Sequence, residues 1–293
     1  MAKPEYQEEI VVRKNLDFQL DSEDIPRYWM AGDAFKTRVF DAVQSSFPDG
    51  ERYFISAVRA FRDRITDPVL IQAVKDFTMQ EGQHGQVHTH YNERLRHQGI
   101  LIDAFTKQTK EVTENRLKTM SPEYNIAMTA ALEHFTAMMA DMFFAEKEML
   151  DGADPRVRAM FAWHAIEEME HKAVAFDVMQ KVANVDYGTR ILAMTHATLA
   201  FSFFSAIAPW HMLKMDGYTT RQRVALYAKG LPWLLGPRKG VFGRLLPMIA
   251  SYYKPGFHPN HVPTVHNYQA WLEAFVTTGD PMKAAEAMYH AAA

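Results

Sequence analysis

From about Asp33 onward, apolar and polar positions follow a helical period, and only Ile10 to Val12 make a short β-like run. The helical pattern is interrupted by Ser45 to Gly50 and resumes from Glu51 to about Ile65. It starts again at Asp67 and stops at His97, Gln98 and Gly99, where a glycine ends a last helical turn. Residues 100–119 read as a linker with some helical content. Ser121 and Pro122 open an apolar-rich helix to about Leu150, and Asp151-Gly152 turns the chain into a helix capped by Asp154. Four long helices with two tight connections predict an all-α fold with a four-helix bundle over residues 34–185. Residues 1–33 read as an irregular N-terminal arm, and residues 186–293 as an apolar, partly basic helical extension packed on the bundle.

Within the extension, Ile191 to Leu213 holds no Asp, Glu, Lys or Arg over 23 residues, which is long enough to span a bilayer. Thr195, His196, Thr198, Ser202, Ser205 and His211 make it a poor lone span, so a core or channel-lining helix is the favoured reading. Arg221, Arg223, Lys229, Arg238, Lys239, Arg244 and Lys254 then interleave with Trp233, Phe242 and several leucines. That stretch resembles an interfacial segment, so membrane-surface association stands as the alternative.

Two stretches share one pattern: Asp-Pro, 12 residues, then Glu-x-x-His. The copies are Asp67, Pro68, Glu81 and His84, and Asp154, Pro155, Glu168 and His171. Asp caps free amides and Pro suits the first helical position, so each pair sits at the same height, about 20 Å along its helix. Residues i and i+3 share a helix face, so each pair aims a carboxylate and an imidazole at one point.

Antiparallel neighbours lie level when they are equally far from the turn between them. Glu51 and Glu81 have their midpoint at 66, and Glu133 and Glu168 at 150.5, both beside predicted turns. Four carboxylates and two imidazoles are therefore expected near one plane, the donor set of a carboxylate-bridged di-metal bundle. Glu133 is the most telling, because its surroundings are small or apolar, and a buried unpaired carboxylate costs several kcal/mol. A structural polar network is the plainer explanation of the same residues.

Other residues extend the set. His164 shares a face with Glu168 and His171, and His88 stacks in the same way on His84 and Glu81. Spacing alone leaves open which of the two is a further ligand and which is an outer partner or packing residue. Gln80 and Glu167 precede the two ligand glutamates and could orient a ligating imidazole, or face solvent. His134 points away from the Glu133 side of its helix, and His90 and His97 are expected in solvent.

Composition narrows the chemistry. There are no cysteines, so thiolate zinc sites, iron–sulfur clusters and disulfides are excluded. A net charge of −3 gives no reason to expect nucleic acid, and no Gly-rich phosphate loop or dinucleotide fingerprint occurs. Met1 to Asp17 is charged without an apolar signal core, so a cytoplasmic location is expected, with the inner membrane face as its peripheral variant.

Phe47-Pro48-x-Gly50-Glu51, Gln80-Glu81-x-x-His84-x-x-x-His88, Glu133-His134 and Trp163-His164-Ala165-x-Glu167-Glu168-x-Glu170-His171-Lys172 resemble the motifs of bacterial proteins called predicted metal-dependent hydrolases. The resemblance covers most of the chain after residue 30, including Gly256-Phe257-His258-Pro259. More distantly, His164, Glu168 and His171 are similar to the last ligand helix of ferritin-like di-iron N-oxygenases that oxidise arylamines. That resemblance implies a ferritin-like bundle and a seven-ligand site of Glu51, Glu81, His84, Glu133, His164, Glu168 and His171. The usual Asp-Glu-x-x-His form is absent here, since Gln80 and Glu167 stand before the two ligand glutamates.

The leading expectation is a di-iron oxygenase or oxidase with O2 as co-substrate, acting on a hydrophobic or aromatic small molecule. Manganese or zinc would suit the same donors. Electrons would come from an external donor, because the chain has no flavin or nicotinamide motif. Di-metal hydrolysis of an ester or amide is the runner-up, and non-catalytic metal storage the third reading. A homodimer is an open option.

Overall fold

The computed structural model describes residues 8–263 and 265–292. Its helices are α1 (Ala34–Ser45), α2 (Phe47–Arg59), α3 (Pro68–His97), α4 (Ile102–Thr119), α5 (Pro122–Ala145), α6 (Pro155–His171) and α7 (Val174–Asp177). After a π-helical turn at Val178–Val182 come α8 (Tyr187–Met215), α9 (Thr220–Leu235), α10 (Val241–Tyr252), α11 (Tyr268–Thr278) and α12 (Pro281–His290). The fold is all-α; among the described residues the β component is one isolated bridge between Met30 and Ala153.

The cap signals work as their chemistry requires. Asp67 accepts from the amide of Val69, Ser121 from Tyr124 and Asp154 from Arg156, and each is followed by proline at the first helical position. Helices α2 and α3 form one antiparallel hairpin and α5 and α6 another, and α2 packs on α5 while α3 packs on α6. These four make the bundle that carries the Glu and His pairs. Helix α4 covers α2, α8 packs against α1 and α5, and the hairpin of α11 and α12 closes over α6.

Several expectations need correction. The stretch Ser45 to Gly50 is not a loop: only Ser46 separates α1 from α2, and Phe47 to Gly50 form the first turn of α2. Proline near a helix start loses no hydrogen bond, so Pro48 does not break the helix there. The linker before Thr119 is the 18-residue helix α4. Only Ile102 and Phe105 are buried on it, so the apolar periodicity that marks a helix is missing. Charge pairs one turn apart support it instead, Lys107 with Glu111 and Glu114 with both Lys110 and Lys118. Helix α5 ends at Ala145, and a 3-10 turn at Lys147–Met149 fills the interval to Leu150.

Ile10 to Val12 have no partner strand, and the described part of the arm, although partly exposed, is anchored by buried side chains. Phe18, Trp29 and Met30 are buried in the same core as Trp163 of α6 and Trp271 of α11. Gly152, at φ +70°, passes within contact of Ala31, whose amide donates to the Gly152 carbonyl, so a side chain there would be both strained and crowded.

Helix α8 is long and apolar enough to cross a membrane by length and composition, with 28% of its most apolar window buried. Ala193, Met194, Ala197, Met212 and Leu213 face the core, while Leu192, Leu199 and Phe203 are exposed. Phe201, Phe203 and Phe204 on the same helix wall a cavity that reaches the bundle interior.

Candidate metal centre

The two Glu-x-x-His helices, α3 and α6, bring Glu81, His84, Glu168 and His171 into one buried space. Helix α2 adds Glu51 and α5 adds Glu133, both buried as the hairpin midpoints require. Donor atoms of Glu51, Glu81 and His84 lie within 4.8 Å of one another, as do those of Glu81, Glu168 and His171. Glu81 belongs to both groups, and a third group of His84, His164 and Glu168 overlaps them, so the donors form one continuous cluster. Glu133 joins the second group, with its Oε2 at 3.4 Å from His171 Nε2. That nitrogen is also 3.1 Å from Glu81 Oε1 and 3.6 Å from Glu168 Oε2. Donors around an ion with bonds of about 2.1 Å lie about 3 to 4 Å apart, so these separations suit metal ligation.

Unmet polar atoms test the fit independently. Both carboxylate oxygens of Glu51, Glu81 and Glu133, together with Glu168 Oε2, His84 Nδ1 and His171 Nε2, are buried without a hydrogen bond. Buried polar atoms are nearly always satisfied, and nine of the exceptions among the described residues gather in this one interior. The donor set is nitrogen and oxygen only, which suits iron, manganese or zinc.

Electrostatics reflect the crowding. Burial, and then the charges of Glu81 and Glu168, hold the Glu51 and Glu133 carboxyls well above the usual range, and burial also raises Glu81. Burial would raise Glu168 too, but His171 and His164 reverse the sign and hold it well below its ordinary value. For His171 burial favours the neutral ring, and the surrounding carboxylates, Glu168 first, overcome it and raise its pKa. Burial lowers His84 and His88.

Each candidate ligand imidazole, His84 and His171, is held from behind by the partner helix. His84 Nε2 is 3.1 Å from Glu167 Oε2, and His171 Nδ1 is 2.8 Å from Gln80 Oε1. Both residues are fully buried, so the solvated alternative for them is excluded. A hydrogen bond to the far nitrogen fixes ring orientation and tautomer. Burial pushes the Glu167 carboxyl up to about 7, against the pull of Arg13 and of the Trp163 N–H.

The spacing left His88 and His164 equivalent, and the structure separates them. His164 Nε2 is 2.8 Å from Glu168 Oε1, and its ring stacks on His84 at 4.2 Å between centroids. His88 reaches His164 Nδ1 at 2.6 Å and Gln44 Oε1 at 3.2 Å, which engages both its ring nitrogens, although it also lies within 4.8 Å of donor atoms of Glu51 and His164. His134 lies outside the cluster, bonded to the Met248 carbonyl and packed on Tyr252 and Phe257. His90 and His97 are exposed.

Sequence reasoning missed the residues that tie this second layer together. Arg13 binds Glu167 at 3.2 Å and Glu170 at 2.7 Å, while Glu170 also accepts from Gln80 and from the Tyr268 hydroxyl. The signal for Glu170 was present as an acidic residue beside His171, but nothing local marks Arg13. Gly85 on α3 was missed as well: a Cβ there would lie 3.2 Å from Glu51 Oε2, so the glycine leaves space for that carboxylate.

A cavity of about 360 Å³ opens beside the cluster, touching Glu51, His164 and Glu168 and running outward between α4 and α8. Its walls include Phe47, Phe54, Leu132, Phe135, Met139 and Phe201. Pockets of this size and apolar character accept small organic molecules.

No curated protein and no solved structure matches the chain. The family described as predicted metal-dependent hydrolase matches it over residues 12–262, a span holding all seven expected ligands and their outer partners, and the chain belongs to that family.

Proposed function

We propose that the protein is a di-metal enzyme of the ferritin-like di-iron type, an oxygenase or oxidase that uses O2 on a hydrophobic or aromatic small molecule. The observation that carries this reading is the convergence of unpartnered Glu and His atoms from four helices on one buried space beside an apolar cavity. Glu51, Glu81, His84, Glu133, Glu168 and His171 would hold two ions, with His164 as the extra imidazole. Two bound iron ions supply the redox chemistry that O2 activation needs. The chain's own part is positional. Glu167 and Gln80 fix the two imidazoles, and the cavity holds an apolar substrate against the Glu51 and Glu168 side. Electrons would come from a separate donor protein, since no flavin or nicotinamide motif is present.

Metal-dependent hydrolysis is the second reading, and the family's description favours it. Two metals can activate water without any electron source. Six or seven protein donors weigh against it, because they leave few open positions for water and substrate.

The test is metal analysis followed by reaction with O2. The protein is expected to bind about two iron ions per chain, and reduction followed by O2 should give a transient absorption band. Protein that holds only zinc, ignores O2 and cleaves an ester or amide anaerobically would replace this reading with the hydrolytic one. Glu133→Ala should lower metal content under either reading.

A further inference from the structure

The cavity is apolar along most of its length, yet its α4 wall carries Gln108, Thr109, Thr113 and Arg116. Arg116 is half-buried, and among the described residues its guanidinium has no carboxylate partner. Arg13, Arg38 and Arg156 by contrast are all paired with carboxylates. Arg116 instead donates to His196 Nε2 at 3.2 Å, and His196 Nδ1 is 2.8 Å from the Tyr124 hydroxyl. Because Nε2 accepts from arginine, Nδ1 carries the proton and donates to the tyrosine oxygen. That chain holds a neutral imidazole behind the guanidinium and leaves its positive charge uncompensated at the wall of an apolar cavity.

We propose that the cavity binds an amphipathic carboxylate, with the carboxylate on Arg116 and an apolar body running inward to Glu51, His164 and Glu168. The planar guanidinium can grip a carboxylate with two parallel N–H bonds, while the Thr109 and Thr113 hydroxyls on the same wall donate to carbonyls of α4. One cation matches a single negative charge. A phosphate monoester near −2 would call for more basic residues than this wall offers. The apolar lining then selects for a hydrocarbon or aromatic body, and the charged end fixes which part of it meets the cluster. This names the substrate class for the proposed di-metal site and rests on that reading only for what happens at the inner end.

The test uses binding, not turnover, on the full chain with and without metal. Dodecanoate and dodecan-1-ol are titrated by calorimetry into the wild type, Arg116→Gln, Arg116→Lys and Leu132→Trp. The wild type should prefer dodecanoate by about tenfold or more, the scale of one charge-assisted contact. Arg116→Gln should remove the preference by weakening dodecanoate alone, with metal content unchanged, and Arg116→Lys should restore part of it. Leu132→Trp, which fills the cavity from α5, should weaken both ligands. Equal wild-type affinities, a preference that survives Arg116→Gln, or dodecanoate binding that ignores Leu132→Trp would each overturn the proposal. Since the preference is read on metal-free protein as well, its failure leaves the metal and O2 measurements untouched, and their failure leaves it untouched.

Discussion

Glu51 has room for its carboxylate because residue 85 has no side chain. Alanine is worth about 1 kcal/mol more than glycine in a helix interior, so on propensity alone Gly85→Ala should stabilise α3. The added methyl would sit 3.2 Å from Glu51 Oε2 and push the carboxylate aside by a few tenths of an ångström. Metal–ligand bond lengths fall within about 0.2 Å of their standard values, so a displaced carboxylate must reorient to keep its bond. The expected result is a metal-free variant at least as heat-stable as the wild type that retains less metal after dialysis, read by elemental analysis and thermal melts. Undiminished metal content would remove Glu51 from the ligand set. The same donors set a pH dependence. Glu51, Glu133 and His171 are all shifted toward holding protons in the metal-free state, and ligation requires them deprotonated. Loading should therefore release protons into a weak buffer, and affinity should rise with pH; loading without acidification would contradict the assigned donors. The convergence of Glu51, Glu81, His84, Glu133, Glu168 and His171 was legible because a cap, a helical period and a hairpin midpoint are all local quantities. Gly85 was not, since its role exists only once Glu51 of another helix lies against it.

At the scale of elements, matched caps put the two Glu-x-x-His pairs level, and those caps are unequal. Asp67 accepts from the Val69 amide alone, whereas Asp154 accepts from the Arg156 amide and also takes the Arg156 guanidinium at 3.0 and 2.8 Å. Removing a cap of this kind costs about 1 kcal/mol. Asp154→Ala should exceed Asp67→Ala in denaturant titrations of metal-free protein, because it also leaves the half-buried Arg156 with Asp24 as its one carboxylate partner among the described residues. Equal losses would mean that the guanidinium pair adds nothing to the cap. Cap chemistry was readable in the chain, but α4 was not. It is stabilised by charge pairs and contact with α2 and carries no apolar stripe, so the signal used to find helices is weakest there. Helix α8 reads two ways in the sequence, since its uncharged run is long enough for a membrane span. In the structure one face packs on α1 and α5 while part of another lines the cavity, as the favoured core or channel-lining reading expects.

For the whole molecule, the arm, the bundle and the C-terminal hairpin meet at one ion cluster behind the metal centre. Arg13 comes from the arm, Glu167 and Glu170 from α6, and Tyr268 and Trp271 from α11, with the guanidinium 5.0 Å from the Trp271 ring centroid. Such an arrangement makes the arm a structural member of the site although 154 residues separate Arg13 from Glu167. Arg13→Met would keep the contact with Trp271 and delete the charge, leaving two buried carboxylates without a cation. Breaking a buried ion pair from one side costs about 3 to 5 kcal/mol. The loss should fall at the lower end, because Glu167 already sits at about 7 and takes a proton readily, while Glu170 keeps its bonds from Gln80 and Tyr268. Urea titration of the metal-free variant should thus show a drop of about 3 kcal/mol. Adding Glu170→Gln should recover part of it, since the remaining unpaired charge is then gone. Metal affinity should fall in Arg13→Met as well, because Glu167 orients His84 only while its own position is fixed by Arg13 and Trp163. A stability loss below about 1 kcal/mol, the size of a surface pair, would mean that the arm merely lies on the bundle.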